Sequence, residues 1–410
     1  MRLPVIGSIS TKDGATNKNA RLTNMLAEQK KNGTTLATVR PGLSAYATVA
    51  GNGNGLACFN GSLVSVFGAN IGVPSGDVIE PTETLSTISG YYILSGVKLS
   101  NGLFVLCDGM TGETGNIFTT TDFSSYTKKL ADYQYYLRRM ITNGTIAVCS
   151  YADDLDPENY GVITVNTSGT TTFTDIGAFV VGPLCYGNGV FVGTTANAKF
   201  ATSSNGTSWS EGTFSYSPVS VFVDIQWNGT KYCYLYTTAF GGDLYARTST
   251  DLETWTSPVV VFDTSDYYND TGYLTVANGF FVLVGKNVCA RSEDGINWTV
   301  TGPFLYDFAP TAIAYNSTVN KLCAVGETYY FNEAHARYFS FDGGQTWFPD
   351  EGTYLTPNLD IYTGVIPVGS DFATFRNEAT NNVQVLTDVS FGITNISAIE
   401  DSPTDFAFIP

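Results

Sequence analysis

The sequence is short of several residue types on which common functions depend. Its 410 residues include one histidine, five tryptophans and only 14% charged side chains. The single histidine, His335, has no Ser or Cys partner in any recognisable motif, which favours a hydrogen-bonded structural role over that of a catalytic base. With 20 Lys and Arg against 37 Asp and Glu, the net charge is −17. That charge argues against a protein that reads nucleic acid by neutralising its phosphates.

Paired cysteines and long apolar runs are also missing. The seven cysteines are an odd number, and none stands in a C-x-x-C pair. Several lie in apolar, strand-like runs, as Cys107 and Cys149 do, so we expect buried free thiols in a reducing compartment. The sequence has no signal-peptide segment and no run of membrane-spanning length. We therefore expect neither Sec export nor membrane insertion.

The residues that are abundant predict strands and tight turns. The chain contains 42 Gly, 25 Tyr and 26 Phe, together with many Thr, Ser and Val residues. No long amphipathic helix stands out. The fold class predicted from this composition is all-β.

One turn sequence recurs along most of the chain, and its best copy is Ser340 to Trp347, S-F-D-G-G-Q-T-W. In such a turn the Asp accepts backbone N–H groups, the Gly supplies a positive φ, and the Trp packs beneath. Shorter copies run from Ser292 to Trp298, Ser203 to Trp209, Ser249 to Trp255 and Thr120 to Tyr126. The residues assigned to these turns are Ser340, Asp342, Gly344, Trp347, Ser292, Asp294, Gly295, Trp298, Ser203, Asn205, Trp209, Ser249, Asp251, Trp255, Asp122 and Tyr126.

A second marker, an Asn-Gly corner followed by an apolar β-branched run, returns roughly every 45 residues, the length of a four-stranded propeller blade. Its copies begin at Asn60, Asn101, Asn143, Asn188, Asn228 and Asn278, with looser versions at Asn316 and Gly369. The predicted fold is a β-propeller. Counting every unit gives eight blades, which we favour. If the first unit, which lacks the turn, shares one blade with the last, which has only Thr387 to Phe391, the count is seven.

Residues 1–50 do not follow the repeat, and the chain divides into an N-terminal arm (1–50) and an acidic propeller (51–410). Leu22 to Lys31 could form one or two helical turns, whereas Gly and Pro residues break the rest of the arm into extended pieces. Seven basic against two acidic residues give the arm a charge of +5, which leaves −17 − 5 = −22 on the body. We expect the arm to dock on an acidic surface, such as that of a neighbouring copy.

The turn sequence resembles the Asp box, S-x-D-x-G-x-T-W, of sialidase-type propellers. In that superfamily the box is a structural turn on the outer rim, away from the active site. A sialidase would also need three converging Arg, a Tyr/Glu nucleophile pair and an acidic Asp. Only nine Arg are present, and none has such companions. We predict no catalytic residue, and a sialidase-like hydrolase is the least favoured function.

Two further clusters have simpler explanations. Asp154, Asp156 and Glu158 alternate as in a Ca²⁺ loop, but Asn159 replaces its Gly and the distal Glu is missing, so we predict a solvated acidic loop and no metal site. The tyrosine clusters at 133–136, 267–268 and 329–331 are typical of strand packing, or of surfaces that bind proteins or sugars.

The arm carries the more specific resemblance. Met1 to Gly7, then Asn24-Met25-Leu26-Ala27-Glu28, then Arg40-Pro41-Gly42-Leu43 ahead of a propeller, resemble the packaged-DNA stabilisation or tail nozzle proteins of short-tailed bacteriophages. Those proteins typically show N-M-x-x-E and T-P-G-L, and here Arg40 stands in place of the Thr. The residues assigned to this assembly arm are Arg2, Arg21, Asn24, Met25, Glu28, Lys30, Lys31, Arg40, Pro41 and Gly42.

The resemblance implies a structural virion protein that forms a hexameric ring below the portal and adaptor, made in the bacterial host cytoplasm. It also implies tail fibre or tailspike partners, and DNA that passes without specific binding. An acidic lumen fits that passage, since carboxylates repel phosphates. No cofactor is expected. The alternative function is a carbohydrate-binding, receptor-recognition propeller of the same virion, which the tyrosine clusters suggest.

Overall fold

The computed structural model is built of β-strands, and its described residues contain no helix. The described residues are 21–22, 25–29, 35–39, 53–59, 62–67, 70–79, 82–89, 91–109, 115–129, 135–153, 160–176, 183–195, 199–215, 221–238, 243–262, 272–286, 288–302, 308–328, 337–350, 362–377, 382–387 and 389–398. Seven four-stranded antiparallel sheets follow one another as the blades of a propeller.

Blades 1 to 3 are each built from four consecutive strands. Blade 1 contains β8 (Ile93–Lys98), β9 (Phe104–Asp108), β10 (Ile117–Thr120) and β11 (Thr127–Lys128). Blade 2 contains β12 (Tyr135–Thr142), β13 (Ile146–Asp153), β14 (Tyr160–Asn166) and β15 (Thr171–Asp175). Blade 3 contains β16 (Cys185–Gly187), β17 (Val190–Thr194), β18 (Lys199–Ser203) and β19 (Ser210–Ser215).

Blades 4 to 6 repeat this order. Blade 4 contains β20 (Val221–Trp227), β21 (Tyr232–Thr237), β22 (Leu244–Ser249) and β23 (Val259–Phe262). Blade 5 contains β24 (Gly272–Ala277), β25 (Phe280–Gly285), β26 (Val288–Ser292) and β27 (Thr299–Gly302). Blade 6 contains β28 (Phe308–Asn316), β29 (Lys321–Thr328), β30 (Arg337–Ser340) and β31 (Phe348–Pro349).

Blade 7 joins the two ends of the chain. Its first three strands are β32 (Tyr362–Val368), β33 (Asp371–Arg376) and β34 (Val383–Thr387), and its outermost strand is β7 (Thr82–Ser86). The first strand of each blade lies innermost and contacts the first strand of the next, and β32 meets β8 to close the ring. The propeller therefore has seven blades. The favoured count of eight was wrong, and the alternative of one blade shared by both ends is confirmed.

The strands that prompted the count of eight form a separate sheet, here called the end sheet. It consists of β4 (Gly53–Phe59), β5 (Ser62–Phe67), β6 (Asn70–Ile79) and β35 (Ser390–Ala398), in the order β35-β6-β5-β4. Its strand β6 contacts β31 of blade 6. The first and last units each contain strands at blade spacing, but β4, β5, β6 and β35 pair with one another outside the ring, whereas β7, β33 and β34 belong to blade 7.

The first pairs of the end sheet keep the register of the outer ladder of blade 7, and the ladder shifts register only beyond Phe391. Val383 pairs with Ser86 and Thr387 with Thr82 inside the blade, and Ser390 then pairs with Ile79 beyond it. From one pair to the next, the residue number rises on one strand by as much as it falls on the other. The segment formed by β34 and β35 is therefore paired with the segment formed by β6 and β7 as one two-stranded ribbon. Thr387 ends β34 and Ser390 begins β35, so the turn predicted at Thr387 to Phe391 is instead the passage of the chain from blade 7 to the end sheet.

The arm contains a third, smaller sheet of β1 (Arg21–Leu22), β2 (Met25–Gln29) and β3 (Thr35–Val39). Met25 pairs with Val39, and Gln29 with Thr35. The helical turn that we considered for Leu22 to Lys31 was wrong, because Met25–Gln29 is extended. A hairpin satisfies these backbone groups by pairing them with β3, which a one-turn helix could not do.

The hydrophobic core lies between successive blades. One cluster joins Val105 of blade 1 to Ala147 of blade 2, and another joins Val282 of blade 5 to Leu322 of blade 6. Six cysteines are buried free thiols, at positions 107, 149, 185, 233, 289 and 323, as expected; Cys58 lies on β4. Burial raises the pKa of the Cys185 and Cys289 thiols, which keeps them protonated and unreactive.

A buried arginine of blade 6 holds the closing strand of blade 7. The Arg337 side chain is 1% exposed and forms ion pairs of 2.5 Å with Glu83 on β7 and with Asp350. Its Nη1 donates to Gln384 Oε1 on β34 at 3.1 Å, and Tyr362 donates its hydroxyl to the same oxygen at 2.9 Å. One cation thus contacts both strands of the ladder that closes the ring.

Two other buried polar side chains strengthen the same junction. Lys321 of blade 6 donates to Asp371 Oδ1 at 2.7 Å and to the carbonyl of Val389, between β34 and β35. Asn382 accepts the Ile88 N–H at 2.9 Å and donates to the carbonyls of Ile88 and Tyr91 at 3.0 and 2.6 Å. Lys321 therefore holds the segment between β34 and β35, and Asn382 ties the start of β34 to the segment that leads from β7 to blade 1.

We expect Arg337→Met to destabilise the ring strongly. The substitution leaves the Asp350 carboxylate, whose side chain is 0% exposed, without its cation, and breaking a buried ion pair costs about 3–5 kcal/mol. Urea unfolding followed by near-UV circular dichroism measures the loss. The matched control is Lys199→Met, whose ion pair with Glu211 is more exposed, at 32% for the lysine, and should contribute about 0–1 kcal/mol. Equal midpoints for the two variants would contradict the role assigned to Arg337.

Candidate functional site

The copies of both repeated sequence markers that belong to the ring lie on one face of it, here called the corner face, whereas Asn60 lies outside the described residues, between β4 and β5 of the end sheet. The Asn-Gly corners join the first strand of a blade to the second, and the Asp-box turns join the third strand to the fourth. In an antiparallel sheet these two connections are at the same end. The connections from the second strand to the third, and from the fourth to the next blade, leave from the opposite face.

Five blades carry an Asp-box turn, namely blades 1, 3, 4, 5 and 6. In blade 5, Asp294 Oδ1 accepts the N–H groups of Ile296 and Asn297 at 2.8 and 2.7 Å, and Ser292 Oγ accepts that of Gly295 at 2.8 Å. The Trp298 indole donates to the Gly295 carbonyl at 3.1 Å. Ser203-Asn205-Trp209 and Ser249-Asp251-Trp255 repeat these bonds.

The Asp boxes of blades 6 and 1 differ from these three in some of their hydrogen bonds. In blade 6, Asp342 Oδ1 accepts the N–H groups of Gln345 and Thr346 at 3.0 Å each, and Ser340 Oγ accepts that of Gly344 at 2.8 Å, while Trp347 packs against the core between blades 5 and 6. In blade 1, Asp122 accepts the Ser124 N–H at 2.9 Å, and Tyr126 donates its hydroxyl to the Phe123 carbonyl at 3.0 Å.

The residue at the centre of each box reaches into the junction with the preceding blade. A Cβ added to Gly295 would lie 2.4 Å from Thr248 and 3.3 Å from the Cys233 sulfur, both in blade 4. Phe123 and Leu252 occupy this position in blades 1 and 4 at φ values of 61° and 68°, and both are buried. Their side chains fill the space that glycine leaves open, which offsets the strain of the left-handed conformation.

Three of the box carboxylates, those of Asp122, Asp251 and Asp294, have lowered pKa values and are held in the ionised form. Slight burial alone would raise the pKa of Asp294, but the donors on Asn297 and Ile296 outweigh it and lower the pKa to about 2. Backbone donors likewise lower the pKa of Asp251, from Thr254 and Glu253, and of Asp122, from Ser124. A carboxylate that accepts several N–H groups is a poor proton donor near neutral pH, so these residues act as turn formers.

The Asn-Gly corners link neighbouring blades. Asn228 of blade 4 donates to the carbonyls of Gly279 and Glu293 in blade 5, both at 3.0 Å, and Asn316 of blade 6 donates to Gly369 and Asp371 in blade 7 at 3.2 and 2.8 Å. Asn101 of blade 1 reaches the Thr167 carbonyl of blade 2 at 2.7 Å. These corner side chains therefore join blades across the corner face.

Several residues singled out from the sequence lie outside the described residues. Among the arm residues, Arg21, Met25 and Glu28 are on β1 and β2, whereas Arg2, Asn24, Lys30, Lys31, Arg40, Pro41 and Gly42 lie outside. His335, Asp154, Asp156, Glu158 and most of the tyrosine clusters also lie outside, although Tyr135 and Tyr136 begin β12. Within the described ranges, no three His, Cys, Asp or Glu side chains are grouped as a metal site would require. The same ranges hold no helix long and apolar enough to span a membrane.

A further candidate site is the central channel, where the innermost strands of the blades enclose a cavity of about 460 Å³. Five of these strands carry a bulge, in blades 1, 2, 4, 6 and 7. Residues at the bulges bridge to the next blade. Thr311 donates to the Tyr362 carbonyl at 2.6 Å, and Ser95 accepts the Met140 N–H at 3.1 Å.

An ion pair in the wall of the channel joins blade 2 to blade 4. Arg139, on β12 of blade 2, bonds through Nη1 to Asp224 Oδ2 of blade 4 at 2.5 Å, and its guanidinium lies 4.8 Å from the centre of the Tyr273 ring in blade 5. Asp224 is 1% exposed and Arg139 25%. Asp224 Oδ2 also accepts the Leu274 N–H at 2.9 Å, so the carboxylate links the innermost strands of blades 4 and 5.

Sequence reasoning missed this pair. Its one local signal was the carboxylate in the apolar run Val221-Phe222-Val223-Asp224-Ile225, since an acidic residue among buried neighbours requires a partner. Nothing in the sequence connects that Asp with an arginine 85 residues earlier.

We expect Asp294→Asn to be tolerated, because Asn205 already occupies the same box position and makes the same two backbone bonds. Asp294→Ala should cost about 1 kcal/mol, since it removes those acceptors. With a folded pKa of about 2 against about 3.9 unfolded, the Asp294 carboxylate stabilises the fold above about pH 4, and this contribution is lost as the pH falls towards 2.

Urea midpoints measured from pH 7 down to pH 2.5 test this expectation. The stability of Asp294→Asn should fall less steeply below about pH 4 than that of the wild type. Identical slopes, or an Asn variant as unstable as the Ala variant at pH 7, would contradict the description of the box.

The sequence matches no protein-family profile and no curated protein. Solved structures are similar in fold. They include virginiamycin B lyase from Staphylococcus aureus (TM-score 0.53, 11% identity, 76% of this chain and 99% of that one) and YCF48 bound to a D1 peptide (0.54, 14%, 77% and 97%). A third is the WD40 β-propeller domain of Doa1 (0.51, 11%, 76% and 97%). At such identities the likeness is one of fold alone, and the chain is a β-propeller.

Proposed function

We propose that the protein is a non-enzymatic structural component of a short-tailed phage tail, a nozzle or tail accessory protein that assembles as a ring of copies. The observation that carries the proposal is the continuous ribbon by which both chain ends leave the ring at blade 7. It separates an assembly region, made of the arm and the end sheet, from a closed propeller. The N-terminal motifs support the proposal through their resemblance to nozzle proteins.

The distribution of charge supports assembly through the arm. The arm carries +5 and the remaining 360 residues −22. The corner face adds ionised carboxylates at Asp122, Asp251 and Asp294, whose pKa values are lowered by backbone donors. A basic segment of one copy is attracted to such a body in the next copy. The same negative charge repels DNA phosphates, which suits a conduit through which DNA must slide.

The construction of the ring supports a mechanical role. Buried Arg337 and Lys321 of blade 6 fix both strands of the ribbon, so a load on the end sheet passes directly into two blades. The Asp boxes, the one motif shared with a superfamily of enzymes, are engaged in turns on the corner face. These features support a rigid platform for neighbouring tail proteins.

We expect the arm to drive ring formation. Native mass spectrometry of the full chain with its portal-side partner should show a ring, for which the resemblance implies six copies, and deletion of residues 1–50 should leave monomers. A sharper variant replaces Lys12, Lys18, Lys30 and Lys31 with Gln, and its matched control makes the same change at Lys98, Lys128, Lys129 and Lys231 of the body. Both variants remove four charges, but only the first should weaken assembly at physiological salt.

Efficient ring formation and incorporation into particles by the truncated chain would contradict the role of the arm. A stable monomer that is absent from purified virions would contradict the proposed function itself.

A second candidate, a carbohydrate-binding propeller, is favoured by where the tyrosine-rich segments join the ring. The segment at 133–136 runs into the first strand of blade 2, the segment at 267–268 precedes the first strand of blade 5, and the segment at 329–331 follows the second strand of blade 6. All three strand ends lie on the face opposite the corners. A glycan array probed with the intact protein tests this candidate, and the absence of any signal would remove it.

A further inference from the structure

We propose that the central channel binds a small organic anion with an apolar body, of the chemical class of the aromatic carboxylates, and that Arg139 holds its carboxylate. This site is independent of the proposed assembly. The cavity of about 460 Å³ lies within the range of roughly 300–1,000 Å³ that is usual for small-molecule sites.

The lining selects an apolar body. Leucine, isoleucine, valine, alanine and proline account for most of the lining residues, and those whose side chains are partly exposed include Leu94, Ile141, Pro183, Ala312 and Pro367. Apolar walls of this kind bind an apolar ligand by removing both surfaces from water.

One side chain, that of Arg139, determines which charge a ligand of the cavity would carry. Among the described residues that line the cavity, Arg139 is the one with a charged side chain. Its partner Asp224 is 1% exposed and already accepts Arg139 Nη1 and Leu274 N–H at Oδ2 and the Ile225 N–H at Oδ1. The carboxylate is therefore occupied and turned into the wall, which leaves the guanidinium as the charged group that faces the cavity.

The guanidinium retains donors for a ligand. It carries five N–H groups, and its hydrogen bond to a described residue uses Nη1 alone. Arg139 is 25% exposed, and its guanidinium carbon lies over the Tyr273 ring, 4.8 Å from the ring centre. Because Asp224 engages Nη1 and Arg139 lines the cavity, the other N–H groups are the donors that a ligand there would meet. The edge of a guanidinium binds a carboxylate through two parallel hydrogen bonds.

Isothermal titration calorimetry of the intact protein tests the site with two probes of nearly equal shape, naphthalene-2-carboxylate and the neutral 2-naphthalenemethanol. We expect saturable binding of one carboxylate per chain, at least about tenfold tighter than the alcohol, since charge-assisted bonds exceed neutral ones by roughly 1.4 kcal/mol. Equal affinities for the two probes, or no saturation by the carboxylate at millimolar concentration, would overturn the proposal.

Three variants locate the site. Arg139→Met should lower the affinity for the carboxylate about tenfold and leave the affinity for the alcohol unchanged. The matched control Arg247→Met, on β22 away from the cavity, should change neither affinity. Thr275→Phe places a ring in the cavity and should weaken both probes. This third variant keeps Arg139 and Asp224, so it tests the location even if Arg139→Met fails to fold. Unchanged binding in Thr275→Phe, or equal losses in Arg139→Met and Arg247→Met, would overturn the assignment.

Discussion

Closure of the ring at blade 7 is the contact on which the rest of the structure depends, because its strands come from opposite ends of the chain. Pairing β7 with β34 orders a long stretch of chain, and backbone bonds alone return little against that entropy. Blade 6 supplies the additional interactions through buried Arg337 and Lys321, which contact the incoming and outgoing strands. The ladder then continues into the end sheet in the same register, so closure of the ring and placement of the chain ends are one event.

The residues with structural roles and the surfaces available for binding lie on different parts of the ring. On the corner face, box carboxylates and corner asparagines are used within the protein, where they satisfy backbone groups or link neighbouring blades. On the opposite face, the connections between strands are longer in sequence, and three of the strand ends there adjoin tyrosine-rich segments of the chain. The channel between the two faces is mostly apolar and contains one ion pair. Binding surfaces are therefore to be sought in the channel, on the opposite face and at the chain ends.

Much of the fold could be predicted because each blade repeats local chemistry. The Asp-box turns and Asn-Gly corners specify bends through bonds between residues two to four apart, and these patterns are visible in the sequence. The blade count failed where the pattern continued but the pairing changed. The strands at 53–79 and 390–398 have blade-like spacing, and nothing local distinguishes pairing within a blade from pairing between the chain ends. In the arm, the extended Met25–Gln29 depends on its partner β3, which a local helix signal does not report.

The sequence by itself determined the all-β class, the propeller repeat, the turns and the contrast between a basic arm and an acidic body, since composition and short-range hydrogen bonding decide these properties. Only the tertiary structure decided the seven blades, the shared ribbon and the ion pairs of Arg337 and Arg139. Arg337 meets Glu83 across 254 residues, and Arg139 meets Asp224 across 85. Such pairs form because closure of the ring brings strands that are distant in sequence together. A buried charge is unfavourable without a partner of opposite charge, and the local sequence does not show which residue that partner will be.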